Sequence, residues 1–178
     1  LAAGDGLLEG ELEKYYELFR NADSLGSLIQ IEEGTTLVPA DVLIQKLDAA
    51  LAKEKAIGDP VAEVFGETAS GVLKAGDYLR MKDFHIVVTN PPFLARGAHS
   101  KIIQNYCDSL FNNEKIDLST CFIKRSRLFA RKNSIYGLVT PQNWLFLGRY
   151  SKMRFSLLSD QILLLLGRLG PGAFESIS

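Results

Sequence analysis

Phe84-His85-Ile86-Val87-Val88-Thr89-Asn90-Pro91-Pro92-Phe93 is the stretch on which the fold of this chain turns. Its first six residues are short, rich in β-branched side chains and almost continuously apolar, the pattern of a strand buried in a parallel sheet. Pro91 and Pro92 end it abruptly, because each fixes φ and lacks the N–H that a ladder needs. A strand running straight into a stiff loop puts that loop at the carboxyl edge of a sheet, where open α/β folds gather their ligands.

Outward from this stretch the hydrophobic period alternates. After Phe93 comes a loop rich in Pro and Gly, then a helical pattern over 117–131 burying Leu118, Phe122 and Phe129, with Cys121 and Leu128 alongside. Asn133-Ser134 turns the chain into a second strand over 135–140, which Pro141 stops. A shorter helix is expected over 149–158 and a third apolar strand over 161–166. Toward the N-terminus the period is helical: Leu8, Leu12, Tyr15 and Phe19 form one stripe. Leu43, Leu47, Ala50 and Leu51 form another, after Pro39 and before Gly58. Asp59-Pro60 then opens a third helix as N-cap and first helical position, with Val61, Val64, Phe65 and Thr68 on one face. Strands alternating with helices predict an α/β fold with a largely parallel sheet. Residues 1–80 form an N-terminal helical segment that packs rather than reacts, and 81–178 carry the site.

Composition narrows the function further. The chain has 178 residues, 47% of them hydrophobic and 23% charged, enough for a real core and unlike a disordered segment. A formal net charge of −1 lacks the basic excess of a protein that grips nucleic acid alone, so such a grip is local or comes from elsewhere in a longer polypeptide. Cys107 and Cys121 make neither a metal-ligand pattern nor a disulfide framework and are expected as reduced, partly buried thiols; no metal site is expected. No signal peptide is expected, and no apolar run is long enough to span a bilayer, the greasiest, 161–166, being far too short. No repeat and no glycine-rich dinucleotide or phosphate turn is found. A chain opening on Leu1 and closing on Glu175-Ser176-Ile177-Ser178 is expected to be a piece of something longer.

The loop itself carries chemistry. A conjugated amine such as that of adenine is a poor nucleophile, because its lone pair is delocalised. To attack a methyl sulfonium the nitrogen must localise that pair, which a site favours by accepting both N–H hydrogens in transition-state geometry. Two rigid acceptors are needed. The Asn90 side-chain oxygen is one and the backbone carbonyl of Pro91 the other; Pro91 and Pro92 hold the loop stiff, and Phe93 offers a face for a flipped base. The plain alternative is a Pro-Pro turn with an incidental Asn.

Val88-Thr89-Asn90-Pro91-Pro92-Phe93-Leu94 resembles motif IV of the class I amino-methyltransferases. The stretch 137–147, Gly-Leu-Val-Thr-Pro-Gln-Asn-Trp-Leu-Phe-Leu, and Leu169-Gly170-Pro171-Gly172-Ala173-Phe174 extend the match. Together, over about 77–178, they resemble the adenine-specific (N6) DNA methyltransferases of restriction-modification and phage-exclusion systems. Residues 21–29, Asn-Ala-Asp-Ser-Leu-Gly-Ser-Leu-Ile, resemble a segment upstream of motif IV in those large enzymes. The resemblance implies a partial Rossmann-like class I fold, S-adenosylmethionine as methyl donor, DNA as substrate and a prokaryotic cytoplasmic setting without membrane attachment. It implies Asn90, Pro91, Pro92 and Phe93 as catalytic residues, Phe93 and Trp144 as walls of the base pocket, and Asp23 or Asp77 as a contact to the cofactor's adenine. It also exposes a departure: motif I, the ribose-binding acid and a target-recognition domain are missing. They are expected in the rest of the parent polypeptide, and this piece alone should bind cofactor poorly.

Other features are weighed against solvation. Lys124, Arg127 and Arg131, with Arg125 and Lys132 nearby, read as a solvated helix face rather than a phosphate patch. Arg96, His99 and Lys101 lie in a Gly-containing stretch that is mobile without substrate in one reading and contacts DNA backbone when substrate is bound. His85 is a structural side chain, and His99 is not assigned a catalytic role. Two alternatives stay open: methylation of a protein glutamine amide or an RNA guanine amine, which present the same planar nitrogen, and a noncatalytic DNA-contacting scaffold.

Overall fold

The computed structural model describes residues 6–31, 35, 37–56, 58 and 60–170. Asp59 and 171–174, on which sequence expectations fell, lie outside the described residues. The chain divides into two units, Leu1–Thr140 and Pro141–Ser178.

In the first unit, helix α1 (Gly6–Phe19) is followed by the single turn α2 (Ala22–Leu25) and a 3-10 turn, Gly26–Leu28. Helices α3 (Ala40–Ala56) and α4 (Pro60–Arg80) come next, and Pro60 opens α4 at the position where a missing N–H costs nothing. Gly58, between them, takes φ +78, which ends α3 as expected. Leu8, Tyr15, Leu37, Ala40, Leu43 and Leu73 form the core of this helical layer, and Leu47, Leu51 and Ala62 a second cluster. Gly76 sits where any Cβ would collide with the Tyr15 ring, so α1 and α4 approach closely there.

Strand β1 (Phe84–Thr89) leads through the Asn-Pro-Pro-Phe loop and a 3-10 turn (Arg96–Ala98) to α5 (Lys101–Leu110), α6 (Leu118–Phe129) and strand β2 (Ala130–Leu138). The strands pair in parallel, Ile86 with Ile135 through Thr89 with Leu138, so β1, α6 and β2 belong to one crossover. Between Phe84↔Ala130 and Ile86↔Ile135 the register slips, and Asn133 takes φ 63 there. Asn is a residue type that tolerates this left-handed backbone. The expected Asn133-Ser134 turn is therefore a kink inside β2, which begins earlier than expected.

Helix α5 replaces the second half of what composition predicted as loop. Ser100 caps it by accepting from the Ile103 N–H, and Ile103, Cys107 and Leu110 recur at helical spacing toward a core of Leu28, Cys107, Phe111, Leu118 and Cys121. The expectation that the strands are buried fails on one face: Ile86, Val88 and Ile135 are 68%, 77% and 58% exposed. Among the described residues α6 packs over one face of this two-stranded parallel ladder, and the face of Ile86, Val88 and Ile135 is exposed.

The second unit holds α7 (Asn143–Phe146), a 3-10 turn (Gly148–Tyr150) and α8 (Ser151–Asp160), with Trp144, Tyr150, Met153 and Leu157 buried. Residues 161–170 form no strand, contrary to expectation, and Ile162 and Leu165 are 86% and 85% exposed. An apolar run becomes a strand only where a ladder partner takes its N–H and C=O groups, and among the described residues this one pairs with none. Among the described residues no helix is long and apolar enough to cross a membrane.

Candidate active site

Asn90 begins the loop where β1 ends, at the carboxyl edge of the parallel pair. Asn90 and Pro92 are exposed, Pro91 is buried, and Phe93 shows 42% of its surface. The motif thus seats one proline inward and presents its amide and its aromatic ring outward. Backbone anchors flank it: the Val139 N–H donates to the Thr89 carbonyl at 3.2 Å, and the Leu118 N–H to the Leu94 carbonyl at 2.8 Å. Beyond Leu94 the chain stays tied to the start of α6. The Arg96 N–H donates to Ile116 O at 2.9 Å, and Ala95 forms an antiparallel bridge with Asp117. Asp117 in turn caps α6 by accepting from the Ser119 N–H at 2.9 Å.

Side chains reinforce this clamp. His99, only 5% exposed, donates from Nε2 to Leu94 O at 2.8 Å. Arg96 Nη2 meets Asp108 Oδ2 at 2.6 Å, and Lys115 Nζ meets Asp108 Oδ1 at 3.0 Å. The hydrogen bond from Arg96, then that from Lys115, holds the Asp108 carboxyl below its ordinary range. In the stretch expected to contact DNA, His99 is buried, Arg96 is partly exposed and paired with Asp108, and Lys101 is exposed. Beneath lie Cys107 and Cys121, both free and fully buried, with Sγ atoms 3.6 Å apart. The hydrogen bond to Cys107, together with burial, pushes the Cys121 thiol well up, so it stays protonated.

Segment 21–29 is brought onto the same layer. Tyr106 Oη donates to Leu28 O at 3.2 Å and accepts from the Gln30 N–H at 2.7 Å. Arg125, expected near a solvated face, is 4% exposed instead. Its guanidinium donates to Ser27 O at 2.9 Å, Ile29 O at 2.6 Å and Leu79 O at 3.1 Å, and lies over the Phe129 ring at 3.9 Å. Burial pulls it down to about 10, still charged at neutral pH. On α6, Lys124 donates to Leu110 O as Arg125 does to its three carbonyls, while Arg131, which falls in β2, pairs with Asp83.

The two candidate cofactor carboxylates fare differently. Asp77 is engaged within the chain: Oδ2 accepts from the Ala40 N–H at 3.0 Å, capping α3, and Oδ1 from Arg80 at 2.9 Å. Asp23 is exposed in the first turn of α2. Trp144 is 8% exposed, buried in the second unit, and its carbonyl accepts from Arg154 at 2.6 Å. A shallow cavity of about 520 Å³ is lined by Pro60, Val64, Phe65 and Thr68, and one of about 320 Å³ by Lys14, Leu18, Gln30, Ile31, Thr35 and Leu37; neither includes the motif. Sequence reasoning missed Tyr106 and Arg125, whose partners are far away in the chain. It also missed His99, whose only local signal was its spacing from Leu94.

The family model described as Eco57I restriction-modification methylase matches residues 14–166. The adenine-specific methyltransferase PglX of Lacticaseibacillus casei (strain Zhang) is 25% identical over 98% of this chain and 14% of its own length. The adenine-specific methyltransferase BrxX of Escherichia coli O9:H4 (strain HS) is 26% identical over 90% of this chain and 13% of its own. The chain thus spans about one seventh of the length of these curated relatives. With a family model covering most of its residues, this chain belongs to the Eco57I restriction-modification methylase family.

Proposed function

We propose that this chain forms the acceptor side of a site that transfers a methyl group from S-adenosylmethionine to the N6 amine of adenine in DNA, within a restriction-modification or phage-defence system. The observation that carries the proposal is the exposed Asn90 and Phe93, held on a rigid proline pair at the carboxyl edge of β1 and β2. Both curated relatives bear names of adenine-specific methyltransferases, which supports the choice of base.

In this mechanism the target adenine leaves the duplex stack and its ring lies on Phe93. Asn90 Oδ1 and the Pro91 carbonyl accept the two N–H hydrogens, which raises electron density on N6 where it develops toward the methyl group. The methylated nitrogen is acidic enough to lose its proton to water, so no side-chain base is required. When bound, the donor would supply a methyl group on a positively charged sulfur, whose carbon–sulfur bonding pair would return to sulfur as a neutral thioether departs. Asp23, which is exposed, and Asp77, which also caps α3, are the two candidate carboxylates toward the donor; the glycine-rich loop and target-recognition domain would come from other parts of the parent polypeptide.

The test is transfer of tritiated methyl from S-adenosylmethionine by the full-length polypeptide, with duplex DNA, RNA and protein offered separately. Label in DNA recovered as N6-methyladenine supports the proposal. Label confined to RNA or protein supports the glutamine-amide or guanine reading instead, and no transfer at all supports a scaffold.

A further inference from the structure

We infer that His99 is a positioning residue for the Asn-Pro-Pro-Phe loop: its Nε2–H fixes the Leu94 carbonyl and thereby the attitude of Phe93 and the acceptor pair. The inference rests on the methyl-transfer reading above and deepens it. Pro91 and Pro92 hold their own φ angles but offer no N–H, so the loop cannot hold itself by backbone donation at those positions. Its place is set from outside, at Thr89 O on one flank and Leu94 O on the other. The second anchor is doubled. Leu94 O accepts from the Leu118 N–H at 2.8 Å and from His99 Nε2 at 2.8 Å, which uses both lone pairs of that oxygen.

A carbonyl oxygen only accepts, so the hydrogen in this bond belongs to Nε2, and that settles which ring nitrogen faces the loop. The ring is 5% exposed and Nδ1 has no hydrogen-bond partner, so burial is not repaid at that nitrogen; the bond to Leu94 is the polar contact that holds the ring here. The ring is itself held from behind. Gln104 Nε2 on α5 donates to the His99 carbonyl at 3.1 Å, and the His99 N–H donates to Arg96 O at 3.1 Å. With both donors in place the Leu94 peptide cannot rotate without breaking two bonds at once. Leu94 is the residue directly after Phe93, so rotation there would swing the aromatic face and loosen the acceptors behind it.

Three variants of the full-length polypeptide test this. His99→Phe keeps the ring shape and loses the donor; His99→Gln places an amide N–H near the position of Nε2; His99→Asn is too short to reach Leu94. In single-turnover methyl transfer to duplex DNA, His99→Phe and His99→Asn should slow the reaction about five- to tenfold, the scale of one hydrogen bond, with the KM for S-adenosylmethionine unchanged. His99→Gln should return to within about threefold of the parent rate. Hydrogen exchange over 90–98 should quicken in the Phe and Asn variants and stay protected in the Gln variant, a readout independent of activity. Unchanged exchange and unchanged rate in His99→Phe overturn the inference. So does equal loss in all three variants, tracking a fall in Tm, because that marks a packing role alone. If the unaltered protein does not methylate DNA, the proposed reaction fails, and the exchange pattern still decides the role of His99.

Discussion

Residues 84–89 and 161–166 look alike as sequence, each a short run of apolar residues, yet only the first is a strand. β1 pairs with β2 along its length, and the loop that follows is tied down at Leu94, Ala95, Arg96 and His99. Among the described residues the second run pairs with no strand, and it is mostly exposed. The difference shows that apolar composition permits a strand, whereas a partner makes one. It also shows where this chain concentrates its order, around the loop that carries Asn90.

The comparison can be broken by substitutions on either side. The largest effect is expected from Arg125→Met, which removes the donor to Ser27, Ile29 and Leu79 while keeping an apolar stem. Three carbonyls left without it should cost about 3 kcal/mol, read by urea denaturation. Leu118→Ala, in the core under the loop, should cost slightly less, about 2–3 kcal/mol by the same measurement, since it opens a cavity at the start of α6. A smaller effect is expected at Asp108. Its carboxyl titrates lower in the folded chain than its ordinary 3.8, so its stabilising contribution is present above that value and fades as pH falls through the folded one. Asp108→Asn should therefore lower Tm at neutral pH and flatten the loss of stability in acid, as seen in melts from pH 7 to pH 3. The smallest effect is expected at the unpaired run: Leu165→Gln should change stability by less than about 0.5 kcal/mol. A large loss there would break the comparison, because it would mean the run is buried against something.

How much of this was legible follows from how local each cause is. β1 and its loop were readable because β-branched residues and prolines act on their own backbone. α1, α3 and α4 were readable because each shows its own apolar stripe. α5 escaped because Gly97 and the preceding prolines coloured the whole stretch as loop, although Ser100 and the spacing of Ile103, Cys107 and Leu110 were visible. The burial of Arg125 was not legible, since a charge on an amphipathic helix normally faces water and its carbonyl partners lie 98, 96 and 46 residues away. Asp77 shows the same limit: nothing near it in sequence shows that it caps the start of α3.

The most direct measurement on the account as a whole is transfer of tritiated methyl to adenine-containing duplex DNA by the full-length polypeptide and by its Asn90→Ala variant. Loss of the side-chain acceptor should cut the transfer rate by at least about a hundredfold while S-adenosylmethionine binding, read by calorimetry, stays unchanged. Transfer by Asn90→Ala at the parent rate would contradict the account, because the acceptor pair at the edge of β1 would then have no part in the chemistry.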